Sequence, residues 1–370
     1  MIALAGASAA AIQVFGDPAA GGPHRTIALA PSPASAEAAP RISFSDAAQA
    51  GAELAPEPDL FADATPPELD SGDPYAPAAA PGQVRVAVLD NSAQQAATAV
   101  RPLPRAPFAG MTQHGPLGPL PVIASDGRRA AQAYARPFTG DSSKPKIAII
   151  VGGLGFNQRT TAQAINELPP EVTLSFVPYA TDLQTWINRA RAGGHEVMLE
   201  LPMEPFDSQA DDTGPQTLLA SAAAAQNTAR LENLLSRGAG YFGVTNYQGA
   251  RFAASAQASA PVAQQLNRRG LAFIATGIGQ RTALSVEAAR AGLPNTAADR
   301  IIDARREADA IDEQLLNLEA LALQNGSAIG AGFAYPVTMV QVAHWAAEIR
   351  QRGYALAPAS AVLAERAQRR

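Results

Sequence analysis

Repeated alternation of strand-like and helix-like segments is the feature that most limits what this chain can fold into. From Lys146 onward, short runs rich in β-branched residues alternate with longer helical patterns. Such alternation implies parallel strands joined by right-handed crossovers, as in a doubly wound sheet or a (β/α) barrel. The predicted strands are 146–151, 172–177, 196–201, 241–244, 271–275, 327–331 and 354–357. The predicted helices are 158–168, 181–193, 221–237, 260–269, 282–291, 307–325 and 336–352.

The region before this alternation has a different composition. Of the 30 prolines in the chain, 20 lie between Pro18 and Pro145. Such segments bury too little apolar surface to offset the entropy of the chain, so we expect a Pro/Ala-rich, acidic and largely disordered linker at 17–143. The folded domain is expected at 144–365. Residues 1–16 carry no charge and are expected to be the remnant of an N-terminal membrane anchor or signal, or else the frayed start of a soluble chain.

The composition excludes several kinds of site. The chain has no cysteine, which rules out disulfides, thiolate nucleophiles and cysteine-ligated metals. Its net charge of −5 argues against nucleic acid as a partner, because phosphate binding needs a basic face. The folded domain contains only His195, at the start of a strand, and His344, within a helix. We therefore expect neither a histidine-ligated zinc site nor a serine–histidine triad.

Polar side chains follow several of the predicted strands at their carboxyl ends, where the active surface lies in either fold. Glu200 and Glu204 stand in and after the third strand, and Asp303 comes later in the chain. The loop after the fourth strand contributes Asn246, Tyr247 and Arg251. Glu204 and Asp303 are the candidates for acid–base catalysis. Three carboxylates, Glu200, Glu204 and Asp303, could hold a hard cation through oxygen ligands, but this is the disfavoured interpretation and no resident cofactor is expected.

A glycine-rich turn, Gly152-Gly153-Leu154-Gly155, follows the first strand. A dinucleotide fingerprint would need G-x-G-x-x-G and an acidic residue at the end of the second strand. That strand ends in Phe176-Val177-Pro178-Tyr179 instead. The turn is therefore interpreted as a tight connection between strand and helix rather than as a phosphate site.

Four stretches together resemble the divergent polysaccharide deacetylase family of bacterial envelope proteins. They are IAIIVGGLGFN at 147–157, GHEVMLELPMEPFD at 194–207, GVTNYQGARF at 243–252 and YPVT at 335–338. The resemblance implies a deformed seven-stranded (β/α) barrel and a role in envelope carbohydrate metabolism. It also implies an export signal or N-terminal anchor, and hence a periplasmic protein tethered to the inner membrane.

The departures from that family affect the residues that carry its chemistry. Members of the family that look active have an Asp pair at Gly152-Gly153, His at Glu200 and Tyr247, and Asp at Ala275. A His-Pro pair is replaced here by Phe333-Ala334. The resemblance thus implies the shell of a metal-dependent deacetylase with its metal-binding and catalytic residues largely replaced.

The hypothesis from the sequence is a deacetylase-like envelope protein that acts on or binds polysaccharide, such as a peptidoglycan glycan. Its expected substrate-binding residues are Glu200, Glu204, Asn246, Tyr247 and Arg251. An aromatic groove for sugar rings is expected from Tyr179, Phe206, Tyr247, Phe252 and Phe333. Two alternatives stay open: an active hydrolase with a carboxylate-ligated metal, and a non-catalytic scaffold for other envelope proteins.

Overall fold

Strands and helices fill most of the part of the chain that the computed structural model describes, which is residues 101–207, 212–279 and 281–369. The predictions for 1–16 and 17–100 lie outside these residues. Within the described ranges, no helix is both long and apolar enough to cross a membrane. In chain order the strands are β1 (Thr112–His114), β2 (Pro119–Pro121), β3 (Lys146–Leu154), β4 (Thr173–Phe176), β5 (Val197–Met203), β6 (Gly243–Gln248), β7 (Ala272–Ala275), β8 (Asn295–Ala297), β9 (Arg300–Ile301), β10 (Ser327–Phe333) and β11 (Ala355–Leu356).

Strands β3 to β11 form one sheet whose pairs are all parallel. The order is β8-β7-β6-β5-β4-β3-β10-β9, with β11 paired to the start of β3. The end strands β8 and β9 are separated in the chain only by Ala298 and Asp299. The two edges of the sheet are therefore adjacent in the chain, and the sheet curls into a barrel-like α/β fold. The sequence predicts this class of fold, but the sheet has nine strands rather than the seven expected.

The central strands are buried on both faces, which is typical of parallel sheets covered by helices. In β3, Ile147, Ile149 and Val151 have no exposed surface, and every residue of β5 is buried. These continuous apolar runs explain why the predicted bounds of both strands agree with the observed ones to within a few residues. They also mean that a polar residue in β5 must point into the protein.

The edge strands β8 and β9 are missing from the prediction. The surrounding sequence, PNTAADRII at 294–302, is rich in turn-forming residues and has no alternating apolar pattern. Pairing with β7 and β10 places it in the sheet: Ala298 N donates to Ala275 O at 2.8 Å, and Asp299 N donates to Ile329 O at 2.7 Å. Long-range hydrogen bonds thus override the local preference.

The gap between β8 and β10 is bridged by the side chain of Arg366. Its Nη2 donates to Asp299 Oδ2 at 2.6 Å and to Ser327 O at 3.2 Å, while Nη1 donates to Ala297 O at 3.1 Å. Asp299 Oδ2 also accepts from Ile329 N at 2.8 Å. The Arg366 guanidinium and the Asp299 carboxylate therefore supply hydrogen bonds where neighbouring strands would otherwise exchange them. They close this gap between β8 and β10, which we call the seam of the barrel.

Ten helices occur in the described residues: α1 (Ala130–Ala133), α2 (Gln158–Glu167), α3 (Leu183–Ala192), α4 (Ala224–Leu235), α5 (Ala250–Ala254), α6 (Ala256–Arg268), α7 (Ala283–Arg290), α8 (Ala308–Asn325), α9 (Pro336–Glu348) and α10 (Ala359–Gln368). Seven correspond to predicted helices. The prediction of α6 starts too late, because Pro261 lies inside the helix rather than in its first turn. The helix begins instead at Ala256, and it is capped by the preceding Ser255, whose side chain accepts from Ala258 N at 3.2 Å.

Residues 101–145, the N-terminal strap, pack against the barrel rather than belonging to a linker. Met111 and Tyr134 are buried, and Arg191 of α3 is 1% exposed. The Arg191 Nε donates to Pro104 O at 2.9 Å and its Nη1 to Tyr134 O at 3.0 Å; burial lowers its pKa to about 10. The predicted boundary at residue 143 is wrong for 101–143, because a few buried anchors hold this proline-rich segment where composition alone predicts coil.

Candidate functional site

A carboxyl group from β5 lies in the space that a side chain on β3 would occupy. Glu200 is 3% exposed, and its Oε1 accepts from Gly153 N at 2.6 Å. A Cβ atom added to Gly152 would lie 2.7 Å from the same Oε1. Real Cβ atoms essentially never approach an oxygen so closely. The absence of a side chain at Gly152 therefore makes room for the Glu200 carboxyl group. This group occupies the space that a side chain at position 152 would fill.

In this position Glu200 has an incomplete set of hydrogen bonds. Its Oε2 is buried and has no hydrogen-bond partner in the structure. Burial raises the pKa of Glu200 to about 7, against an ordinary 4.5, and the Gly153 N–H limits the shift. The Ser175 hydroxyl on β4 also lies close enough to favour the charged form, although its Oγ makes no hydrogen bond of ordinary geometry. A carboxyl group with such a pKa exchanges its proton near neutral pH.

Asp303, which follows β9, is a second buried carboxyl group beside a glycine. Its Oδ2 accepts from Phe333 N at 2.6 Å and from Thr338 Oγ1 at 3.0 Å, while Oδ1 is buried without a partner. A Cβ atom on Gly332 would lie 3.0 Å from Oδ2. Burial raises the pKa of Asp303 to about 6 from 3.8, and the two hydrogen bonds oppose the shift.

The two carboxyl groups belong to one region of the sheet because β3 and β10 are paired. Phe333 is opposite Gly152 in the register, and Ala334 N donates to Gly152 O at 3.0 Å. Glu200 bonds the β3 side of this pair at Gly153, and Asp303 bonds the β10 side at Phe333. The carboxyl end of the barrel thus holds two buried acids, each with one unsatisfied oxygen.

An aromatic cap, consisting of Tyr247, Phe333 and Tyr335, lies at the same strand ends. The Phe333 ring meets Tyr247 edge to face, with centroids 6.3 Å apart and planes at 87°, and its centroid is 6.2 Å from that of Tyr335. The Arg306 guanidinium lies 4.2 Å from the centre of the Tyr335 ring. Tyr247 is 6% exposed, whereas Phe333 and Tyr335 are half-buried. The cap presents aromatic surface beside the two acids.

Glu204 and Arg251, both predicted substrate-binding residues, contact each other. Arg251 Nε lies 3.5 Å from Glu204 Oε1, and the Arg251 side chain is 53% exposed. Glu204 Oε2 accepts from Ala220 N at 2.6 Å. Arg251 is therefore accessible to a ligand, while Glu204 orients it and fastens the loop after β5.

The side-chain amide of Asn246 forms its hydrogen bonds with the protein's own backbone. Its Nδ2 donates to Gln248 O and to Thr276 O, each at 2.7 Å, and its Oδ1 accepts from Thr276 N at 2.8 Å. These bonds join the end of β6 to the loop after β7. The side chain that sequence reasoning assigns to substrate thus fixes the rim on which the site is built.

The predicted five-residue aromatic groove does not form as a unit. Phe252 is fully buried, because it packs into the core from α5, and so the expectation that it lines a groove is wrong. Phe206 is 71% exposed, and the Tyr179 hydroxyl accepts from Gln216 N at 3.0 Å. Of the five, only Tyr247 and Phe333 pack together, and Tyr335, which was not predicted to line the groove, joins them.

The side chains that are present do not fit a divalent metal. Within the described residues, no group of three His, Cys, Asp or Glu side chains is placed to hold one. Glu200, Glu204 and Asp303 are engaged with separate backbone donors, so the predicted three-carboxylate set is not brought together. The ring nitrogens of His195 lie 2.8 Å from Val172 O and 3.2 Å from Ile165 O, and the His344 side chain is 77% exposed on α9. Both histidines are remote from the strand ends, as expected.

Sequence reasoning missed three contributors to this site. Thr338, in the first turn of α9, donates to Asp303. Gly332 leaves room for two side chains, because a Cβ atom there would lie 2.8 Å from Ile302 Cγ1 and 3.0 Å from Asp303 Oδ2. Ser175 lies beside Glu200. The sequence signal that could have found them is a glycine near the end of a buried strand, which marks a place where another group comes close. Gly332 in β10 is such a glycine, as is the glycine pair in β3.

Comparison with known proteins gives consistent matches. A family model described as divergent polysaccharide deacetylase matches residues 149–363. The crystal structure of the uncharacterized protein ATU2773 from Agrobacterium tumefaciens C58 is 38% identical and superimposes with a TM-score of 0.64, covering 66% of this chain and 100% of that one. An uncharacterized Haemophilus influenzae protein is 24% identical over 198 residues, 53% of this chain and 69% of its own length. The uncharacterized protein YibQ of Escherichia coli K12 is 24% identical over 197 residues, 52% of this chain and 60% of its own length.

Proposed function

This chain belongs to the divergent polysaccharide deacetylase family, and we propose on that basis that it binds a glycan of the bacterial envelope at the carboxyl ends of its strands. The observation that carries the proposal is the Glu200 carboxyl group seated against Gly152 and bonded to Gly153 N. The Glu200 carboxyl group takes up the space beside Gly152, and the described side chains do not fit a metal. The site is better suited to recognising a polysaccharide than to metal-dependent hydrolysis.

The residues at the strand ends supply the chemistry that a sugar needs. Ligand sites combine apolar or aromatic walls with a few polar groups that fix orientation. Phe333 and Tyr335 are half-buried and offer ring surface to the C–H faces of a sugar. Arg251 is more than half exposed and can donate to hydroxyl or N-acetyl oxygens, while Glu204 holds it in place.

Peptidoglycan is the envelope glycan that we propose first, with the protein in the periplasm and tethered to the inner membrane. This placement rests on the family resemblance and on the uncharged stretch at 1–16. Fractionation of cells that express the gene from its full reading frame tests it. A pool confined to the cytoplasm would reject the periplasmic assignment.

Retention on purified peptidoglycan tests the binding proposal. The wild-type chain should co-sediment with insoluble peptidoglycan and be released by soluble N-acetylglucosamine oligomers, whereas Phe333→Ala and Arg251→Ala should be retained less. Arg268→Ala is the matched control, because Arg268 is an exposed arginine on α6 away from the strand ends. Equal retention of all four proteins, or none, would end the proposal. Capture of envelope proteins without glycan would favour the scaffold instead.

A metal-independent hydrolase is the second candidate, and the pair of buried acids favours it. With pKa values of about 7 for Glu200 and about 6 for Asp303, one group can donate a proton while the other accepts one near neutral pH. This candidate requires acetate release from an N-acetylated glycan in the presence of a chelator. Glu200→Gln and Asp303→Asn should each abolish that release. A wild-type preparation that releases no acetate rejects it.

A further inference from the structure

A strongly basic cavity lies at the seam of the barrel. It has a volume of about 980 Å³ and is bordered by α7, β8, the start of β9, the end of α8 and α10. None of its lining residues belongs to the acids or the aromatic cap of the candidate site. We call it the arginine pocket after the residues Arg281, Arg290, Arg300, Arg366 and Arg369 that line it.

The charge of the arginine pocket is far from balanced. Asp299 is its single lining carboxylate, and it is committed to Arg366 at 2.6 Å. Arg290 pairs with Glu287 at 2.6 Å, and Arg369 pairs with Glu365. Arg281 and Arg300 are exposed and have no hydrogen bond or ion pair with any residue that the structure describes. In a chain whose net charge is −5, this concentration of positive charge is a local property of the pocket.

A concave surface lined by one sign of charge focuses the field and attracts counter-ions. The guanidinium fork matches phosphate and carboxylate oxygens in paired hydrogen bonds. Here the unpaired guanidinium groups come from separate elements, Arg281 before α7 and Arg300 in β9. A phosphate offers more acceptor oxygens and more charge than a carboxylate, so it can satisfy donors that arrive from several directions.

The size of the pocket and its apolar side indicate a ligand larger than a bare ion. Small-molecule sites commonly measure about 300–1,000 Å³, and this cavity is at the upper end of that range. Val286, Ala289 and Leu321 give it an apolar side. We propose that the arginine pocket binds a phosphate-bearing ligand, whose phosphate group contacts Arg281 and Arg300 and whose carbon-rich part lies against this wall.

Binding of inorganic phosphate and pyrophosphate to the full chain, measured by calorimetry at constant ionic strength, tests the proposal. The wild type should bind pyrophosphate saturably, and the double variant Arg281→Glu/Arg300→Glu should bind at least about tenfold more weakly, because charge-assisted hydrogen bonds are lost. Arg159→Glu/Arg268→Glu, an equal charge change at exposed residues outside the pocket, should bind like the wild type. All three proteins should melt at the same temperature, because these side chains are exposed. Absence of saturable binding, or equal binding by the double variant, would overturn the proposal.

Vesicles distinguish a free organic phosphate from a lipid headgroup as the source. If the headgroup is the ligand, the wild type should co-sediment with phosphatidylglycerol vesicles but not with phosphatidylcholine vesicles, and the double variant with neither. If the wild type binds pyrophosphate and ignores both vesicles, the ligand is a soluble phosphate ester. Vesicle binding that survives in the double variant would contradict a role for the arginine pocket.

Discussion

Two buried glutamates on the same stretch of chain, Glu196 and Glu200, have opposite surroundings. At the amino end of the barrel, Glu196 accepts hydrogen bonds from four donors. They are Thr173 Oγ1 at 2.8 Å, Ser360 N at 3.0 Å, Ser360 Oγ at 2.5 Å and Arg136 N at 2.9 Å. At the carboxyl end, Glu200 accepts one from Gly153 N and leaves Oε2 without a partner.

The difference separates a structural carboxyl group from one available for function. The donors to Glu196 come from the N-terminal strap, from β4 and from α10, so this residue ties together distant parts of the fold. Buried polar atoms in proteins are nearly always hydrogen-bonded, and an exception calls for an explanation. Glu200 and Asp303 are two such exceptions at one end of the barrel, the end at which we propose that a glycan binds.

Truncation of Glu196 should have the largest effect on stability. Glu196→Ala removes every acceptor of the cluster and leaves buried donors unsatisfied, and each unsatisfied group costs about 1–3 kcal/mol. We expect the free energy of unfolding to fall by about 3–5 kcal/mol, because several such costs add at one buried site. Urea unfolding measures the loss. Glu200→Ala is the comparison variant and should cost less; the reverse order would refute the distinction between the two glutamates.

The pH dependence of stability should report Glu200. Because its folded pKa is raised to about 7 from 4.5, the folded state binds more protons than the unfolded state between these values. Stability should therefore fall as the pH rises across this window and level off above it, with a total change of up to about 3 kcal/mol. Glu200→Gln keeps an acceptor for Gly153 N but removes the titration.

Unfolding free energies at pH 5 and pH 8 check this prediction. The difference between the two pH values should be smaller in Glu200→Gln than in the wild type. Some pH dependence should remain, since burial also raises the pKa values of Asp303 and Glu196. Asp303→Asn is the comparison variant, and it should reduce the difference less than Glu200→Gln does, because with a folded pKa of about 6 Asp303 titrates over less of this pH interval. An unchanged difference in Glu200→Gln would show that Glu200 does not titrate in this range.

The fold was accessible from the sequence wherever strands are continuous apolar runs. β3 and β5 are buried on both faces, and their composition alone predicts them. By contrast, β8 and β9 depend on partners that are distant in sequence, and the N-terminal strap depends on single anchors such as Tyr134 and Arg191. Local pattern contains no information on either.

The candidate site was accessible only in part. The glycine pair near the end of β3 and the family pattern predict that an Asp pair is missing, but not what fills the gap. Glu200 is far from Gly152 in sequence and reaches it across β4. Likewise, nothing in the sequence shows that the side-chain amide of Asn246 is hydrogen-bonded to the backbone of Thr276. Contacts of this kind are set by strand order and register.

A side chain at 152 should compete with Glu200 for the same space. Gly152→Ala puts a methyl group 2.7 Å from Glu200 Oε1, which is held by Gly153 N. We expect the free energy of unfolding to fall by about 1–2 kcal/mol, as for modest overpacking. The double variant Gly152→Ala/Glu200→Ala removes the clash, so the penalty of Gly152→Ala should shrink by about 1 kcal/mol in that background. Equal penalties in the two backgrounds would show that Glu200 does not occupy this space.

Removal of the Arg251 side chain should separate binding from stability. The ion pair between Arg251 Nε and Glu204 Oε1 is long, at 3.5 Å, and the arginine is 53% exposed. Exposed pairs contribute about 0–1 kcal/mol, so Arg251→Ala should change the urea midpoint little. Glu204→Ala should cost more, because it also removes the acceptor for Ala220 N. If Arg251→Ala proves as destabilising as Glu204→Ala, the arginine is structural and is not a side chain held available for a ligand at the carboxyl end of the barrel.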